Sequence, residues 1–310
     1  MRKVVPLVAF SALAFLGAAS CSLFVSLDGL SDGAASSVDS GLCEAGTCAD
    51  GASGTDGSPN DSGGAADDGP TLDAAINPCR DGGGTAGPRM IQAPGFCIDS
   101  TEVTVAQYSA FLQDGGVGVS QASECAWNLT FAPNTVGSDD SRCTAANIDP
   151  AARPQNPITC VDWCDAVAYC KWAGKRLCGA IAGGSVSYAS FSTNSQWSLA
   201  CATSENDTFP NDSNDGGSCQ LKKTGTVAVA SQGCNGGYPG LSDMVGNVEE
   251  WIDSCDTSGR TPDGGGAAFD QCHDEGGEFD ENFTGPGCRA NDNDNRRLTW
   301  AGVGFRCCSK

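Results

Sequence analysis

Three stretches of the chain place apolar side chains at helical spacing. Val105, Tyr108, Phe111 and Leu112 share one face, Thr104 and Gln107 form a capping box ahead of them, and Gly115-Gly116 ends the run. Asp162 caps a second stretch, in which Trp163, Ala166, Val167, Cys170 and Ala173 recur until Gly174 stops them. Thr193 with Gln196 predicts the start of a third, carrying Trp197, Ala200 and Cys201 inward. Elsewhere the apolar runs are short, broken by glycine, and rarely alternate for long. The pattern predicts an α+β domain with much irregular backbone, held by disulfides more than by regular layers.

The pattern is different before residue 79. Met1-Arg2-Lys3 is positive, Val4 to Leu16 is almost wholly apolar, and Gly17-Ala18-Ala19-Ser20 leads to Cys21. Residues 1–20 therefore read as a secretory signal, because the apolar stretch is shorter than the roughly 20 residues a spanning helix needs. Small residues before a cysteine resemble a bacterial lipobox, with Ala18 where leucine is more usual. That resemblance implies acylation of Cys21, a membrane attachment through the lipid, and an exported, outer-membrane lipoprotein of the cell envelope. An ordinary signal with Cys21 incidental is the alternative. Cysteine parity favours the lipid, since 19 cysteines less one leaves an even number.

From Ser26 to about Pro78 the chain is Gly, Ala, Ser, Asp and Thr. With ten acids and no Lys or Arg in 22–78, it cannot bury enough apolar surface to offset ordering. Residues 21–78 are read as a disordered acidic tether, with Cys43 and Cys48 closing a small loop. Residues 79–310 hold all six tryptophans, all four tyrosines and sixteen cysteines, and form one domain.

Composition narrows the chemistry. Nineteen cysteines point to an oxidising compartment. A single histidine, His273, excludes multi-His metal sites, and in its acidic loop it is expected to be exposed and idle. A formal charge of −21 argues against nucleic acid, whose phosphates need cations, and favours divalent cations as partners.

Five motifs then occur in order: Phe96-Cys97-Ile98-Asp99-Ser100-Thr101-Glu102-Val103-Thr104; Val161-Asp162-Trp163 through Gly174-Lys175-Arg176-Leu177; Gln196-Trp197; Gly240 through Trp251, containing Asp243-Met244-Val245-Gly246-Asn247-Val248-Glu249-Glu250; and Gly304-Phe305-Arg306-Cys307. This order resembles the formylglycine-generating enzyme (sulfatase-modifying factor) family. The resemblance implies a variant of the C-type lectin fold, low in regular secondary structure. It also implies disulfides Cys170 to Cys307 and Cys201 to Cys288. Apart from the resemblance, Cys219 with Cys234 and Cys255 with Cys272 are expected as short-range pairs. Residues 178–192 read as an insertion relative to the family.

The family holds a structural calcium ion in the loop that here runs from Asp243 to Trp251. Asp243 and Glu250 would supply carboxylate oxygens and Gly246 and Val248 backbone carbonyls, a hard oxygen set suited to Ca²⁺. Its enzymes also oxidise a substrate cysteine with O₂ at copper, held by a close pair of thiolates shortly after Gly-Gly-Ser. Here Gly276-Gly277 is followed by Glu278, and no cysteine lies between Cys272 and Cys288. Carboxylates such as Glu278 or Glu281 cannot replace thiolates on Cu(I), so copper is not expected. Cys307-Cys308 is an adjacent pair, but successive strand residues face opposite ways and would not grip one ion. The expected function is a non-catalytic binding or scaffold module, with an unknown protein or cell-envelope ligand as partner. The alternative is a divergent formylglycine-generating oxidase acting on a protein cysteine.

Overall fold

The computed structural model describes residue 79 and residues 86–310, except 191–193, 203–209, 211–218, 220, 222, 259–265, 281–286 and 289–290. The signal, the tether, Cys21, Cys43 and Cys48 lie outside the described residues. Two four-stranded sheets carry the domain. In the first, β1 (Met90–Ala93) and β2 (Phe96–Asp99) form a hairpin, β8 (Cys307–Ser309) pairs with β2, and β3 (Arg176–Leu177) pairs with β8, all antiparallel. The second has the order β6 (Asn291–Asn295), β5 (Gln271–Glu275), β4 (Glu249–Asp256), β7 (Val303–Gly304), with β4 and β7 parallel. Among the described residues no helix is long and apolar enough to cross a membrane.

Helix α1 (Val105–Gln113) has the Thr104–Gln107 capping box in both directions. Its Val105, Tyr108 and Phe111 are buried, while Leu112 is 37% exposed because it sits beyond the edge of the covered face. Helix α2 (Trp163–Trp172) starts at Asp162, whose carboxylate accepts the Asp165 N–H while Asp165 answers to the Asp162 N–H. It ends where Gly174 adopts φ +71°, a left-handed conformation that lets Lys175 N–H reach the Cys170 carbonyl. Helix α3 (Gln196–Cys201) begins later than its sequence suggests. Its N-cap is Ser195, whose hydroxyl accepts from Trp197 and Ser198 N–H, and Thr193 lies outside the described residues.

Two apolar cores result. One gathers Tyr108, Phe111, Tyr169, Trp251 and Phe305, with Tyr108 and Tyr169 stacked at 5.6 Å. The other holds Ile98, Trp197, Leu241, Met244 and Ile252. Eight disulfides use every cysteine from 79 onward: 79–97, 125–164, 143–160, 170–307, 178–308, 201–288, 219–234 and 255–272. Cys178 ties the start of the segment after Leu177 to β8.

Candidate functional site

The Gly240–Trp251 loop folds back on itself. Asp243 and Asn247 take left-handed backbone angles, φ +55° and +65°, which asparagine and aspartate visit more readily than most side-chain-bearing residues. Local hydrogen bonds hold both. Asp243 Oδ2 accepts the Ala230 N–H, and Asn247 receives the Val227 N–H on Oδ1 at 2.9 Å while donating to Glu102 Oε1 at 2.8 Å.

Arg306 lies at the centre of this region, with no exposed surface. Its Nε and Nη2 donate to the two Glu250 oxygens at 2.7 Å each, Nη1 donates to the Asp99 carbonyl, and Nη2 also reaches the carbonyls of Ser242 and Asp243. Trp197 Nε1 donates to Glu250 Oε2 at 2.8 Å. Beside it Lys175 pairs with Asp99, whose other oxygen accepts the Cys307 N–H. Burial pushes the Asp99 carboxyl up to about 6, with Lys175 opposing. The charged residues of four motifs therefore converge on one buried network bracing β2, the loop, β4 and the Gly304–Cys307 turn. Their work here is structural.

The four expected calcium ligands fall in this loop. Glu250 already takes three donors, two of them from a guanidinium that never deprotonates. Among the described residues no three His, Cys, Asp or Glu side chains converge as a metal cage. Backbone carbonyls would have to complete any Ca²⁺ shell, as the expected set with Gly246 and Val248 provides. One observation favours a cation. Buried Glu102 leaves Oε2 with no partner, and burial followed by the charge of Asp243 raises its carboxyl well above the usual range. Glu102, Asp243 and Glu250 surround one guanidinium, so acids outnumber the one base at their centre.

The Gly276-Gly277-Glu278 segment follows β5. Glu278 meets Trp300 Nε1 at 3.3 Å and Arg142 Nη2 at 3.5 Å, and burial raises its carboxyl to about 7 against the pull of Arg142. Its carboxylate rests on Gly302 so closely that a Cβ there would overlap it. Copper does not fit these residues. All sixteen cysteine sulfurs from residue 79 onward are in disulfides, which are not thiolate donors. Cys307 and Cys308 face different cores, as alternation along a strand requires.

The family model described as "Sulfatase-modifying factor enzyme 1-like domain" matches residues 62–310, beginning inside the stretch read as tether. The chain belongs to this family. A formylglycine-generating enzyme of Streptomyces coelicolor is 34% identical over 102 residues, covering 26% of this chain and 32% of that protein. One from Mycobacterium tuberculosis is 30% identical over 193 residues, covering 50% and 62%. Hercynine oxygenase of Mycolicibacterium thermoresistibile is 28% identical over 189 residues, covering 53% and 37%. The chain thus spans from about a third to about three-fifths of the length of these relatives. Among solved structures, CarF aligns at TM-score 0.45 and 20% identity over 69% of this chain and 85% of that one. This sulfatase-modifying-factor domain has the α+β, C-type-lectin-like architecture its motifs imply, and some members of the family are oxidases. Its disulfides agree with export.

His273 is corrected by the structure. It is 3% exposed, stacked on Tyr188 at 4.1 Å, with ring nitrogens 3.2 Å from the Asp292 and Tyr188 carbonyls. The acidic stretch 271–275 is a central strand paired with β4 and β6, so it has no free edge, and the Tyr188 ring covers the face on which His273 stands. Neighbouring Asp274 is missed by sequence reasoning altogether. It is fully buried with both oxygens unpartnered, and burial, then Asp294 and Asp292, raises its carboxyl well above the usual range. The repeated Asn-Asp pattern at 291–295 is the only hint of this pairing in the sequence.

Proposed function

We propose that this chain is an exported, lipid-anchored binding or scaffold module that keeps the family fold without its copper chemistry, displaying its loops to a protein or cell-envelope ligand. The observation that carries the reading is the complete use of cysteine from residue 79 onward: eight disulfides leave no thiolate for Cu(I). Glu278 stands where the family has serine, held by Arg142 and packed on Gly302. Acylation at Cys21 and an outer-membrane location belong to the same proposal, supported by the small residues before that cysteine. Calcium at Asp243, Gly246, Val248 and Glu250 is a structural part of it, supported by the charge imbalance around Arg306 and the orphaned oxygen of Glu102.

The test gives the purified chain a peptide bearing Cys-x-Pro-x-Arg, with copper and O₂, and seeks an aldehyde by mass spectrometry. No product above a no-protein control is expected. Turnover would establish the divergent oxidase instead.

A further inference from the structure

A cavity of about 510 Å³ opens between the 142–159 segment, the 223–227 strip and Phe279. Its size suits a small organic ligand. Hydrogen bonds preform its walls: Lys223 N–H donates to the Phe279 carbonyl at 2.6 Å, Asn156 Nδ2 to the Thr226 carbonyl at 3.1 Å, and Val227 N–H to Asn247 Oδ1 at 2.9 Å.

Three cations line this cavity in a chain of charge −21. Arg142 is committed, ion-paired to Asp140 and Asp280 and flanked by the Phe279 and Trp300 rings at 5.2 and 5.3 Å. Arg153 and Lys223 differ. Neither side chain makes an ion pair or hydrogen bond with a described residue, although acids outnumber bases 38 to 17. Thr159 and Thr226 add polar lining, and Phe279, only 3% exposed, forms part of an apolar wall.

We infer that this cavity binds an oxyanion, carboxylate or phosphate, carried on a small organic body with an apolar part. Arg153 and Lys223 meet the charge through charge-assisted hydrogen bonds, and the Phe279 wall packs the body. The cavity adjoins the Glu278 segment through Arg142 and Phe279, but the inference goes beyond the functional reading above: anion binding is measured without copper or O₂, and its failure would leave that reading untouched.

Calorimetric titration of the full chain tests it with phenylacetate, phenyl phosphate and phenethylammonium as a charge-reversed control. Saturable binding of at least one anion is expected, weakening as salt rises. The tighter of the two identifies the anion. Arg153→Gln and Lys223→Gln should each weaken it by about tenfold, the loss expected of one charge-assisted hydrogen bond. Lys171→Gln, on an exposed helix face, should not. Lys223 is exposed and Arg153 half-buried, and unchanged melting temperatures verify the folding of both variants. No saturable anion binding, equal binding of phenethylammonium, or affinity indifferent to both substitutions would overturn the assignment.

Discussion

Cys307 and Cys308, neighbours in β8, are bonded to opposite sides of the first sheet, the former to Cys170 of α2 and the latter to Cys178 just beyond β3. The two bridges close spans of 137 and 130 residues, so β8 is fastened into both cores at once. In the chain-entropy account each loop of this length is worth on the order of 4–5 kcal/mol before strain. Cys308→Ser with Cys178→Ser should therefore lower stability to urea by a few kcal/mol while leaving Cys170 to Cys307 intact. Urea melts and non-reducing peptide maps check this, and a map joining Cys307 to another cysteine would refute the pairing.

Arg306 and Glu250 form a buried pair, so removing either partner strands the other. Arg306→Met should destabilise the domain by about 3–5 kcal/mol, as uncompensated buried charges do. Arg306→Lys should lose much of this too, since a point charge cannot reproduce the fork that meets both Glu250 oxygens and three carbonyls. If the variant does not accumulate, the milder Trp197→Phe, which removes the 2.8 Å indole bond and part of a buried ring, should show a loss of at least about 1–2 kcal/mol in thermal melts.

Stability should fall as pH rises from about 4.5 to about 8 in the presence of chelator. Glu275 is raised from 4.5 to about 8 by burial, against hydrogen bonds from Ser198 and Ser195, and burial lifts Asp162 to about 7. Such groups hold their protons more tightly folded than unfolded. Their contribution is therefore present below the unfolded value and lost as pH climbs towards the folded one. Melting temperatures at pH 5 and pH 8 give the sign, and a higher value at pH 8 would contradict it.

Asp274→Asn should stabilise the domain at pH 8 and change little near pH 4. The amide keeps the shape, removes the cost of ionising a carboxyl with two unpartnered oxygens, and offers an N–H₂ towards Asp292 and Asp294. The gain should be about 1–3 kcal/mol, the range for an unsatisfied buried polar group, measured as a difference in urea midpoints at the two pH values.

Calcium should raise the melting temperature, and chelator should lower it. Binding only to the folded loop adds about 2.7 kcal/mol at a hundredfold excess over Kd. Asp243→Asn and Glu102→Gln should shrink the shift, and equal melting with and without calcium would remove the ion from this loop.

The helices were legible in the sequence because their signals are local. Thr104 with Gln107 and Asp162 with Asp165 each complete a cap within three residues. Ser195 displaced Thr193 for a reason that spacing could not carry: its hydroxyl meets two N–H groups and faces Glu275, a residue 80 positions away. The same distance in sequence hid the site. Arg306 and Glu250 were both visible inside motifs, but nothing in either motif announces that they bind each other. Cys178 looked like part of an insertion, and Arg142 was an anonymous arginine until the fold set it against Glu278 and Trp300.

Cys79 stands at the threshold of the domain, and its disulfide to Cys97 joins the chain to the middle of β2 rather than to the edge strand β1. A pull on the polypeptide ahead of Cys79 would enter through that sulfur bridge and pass directly into β2, which is hydrogen-bonded to β8. The force then runs on through Cys307 and Cys308 into both cores. The edge strand, the easiest element to peel from a sheet, is left out of the line of tension. A domain held at a surface by its leading segment is in this way gripped at its best-anchored strand, and reduction of one bond would move the strain to its weakest.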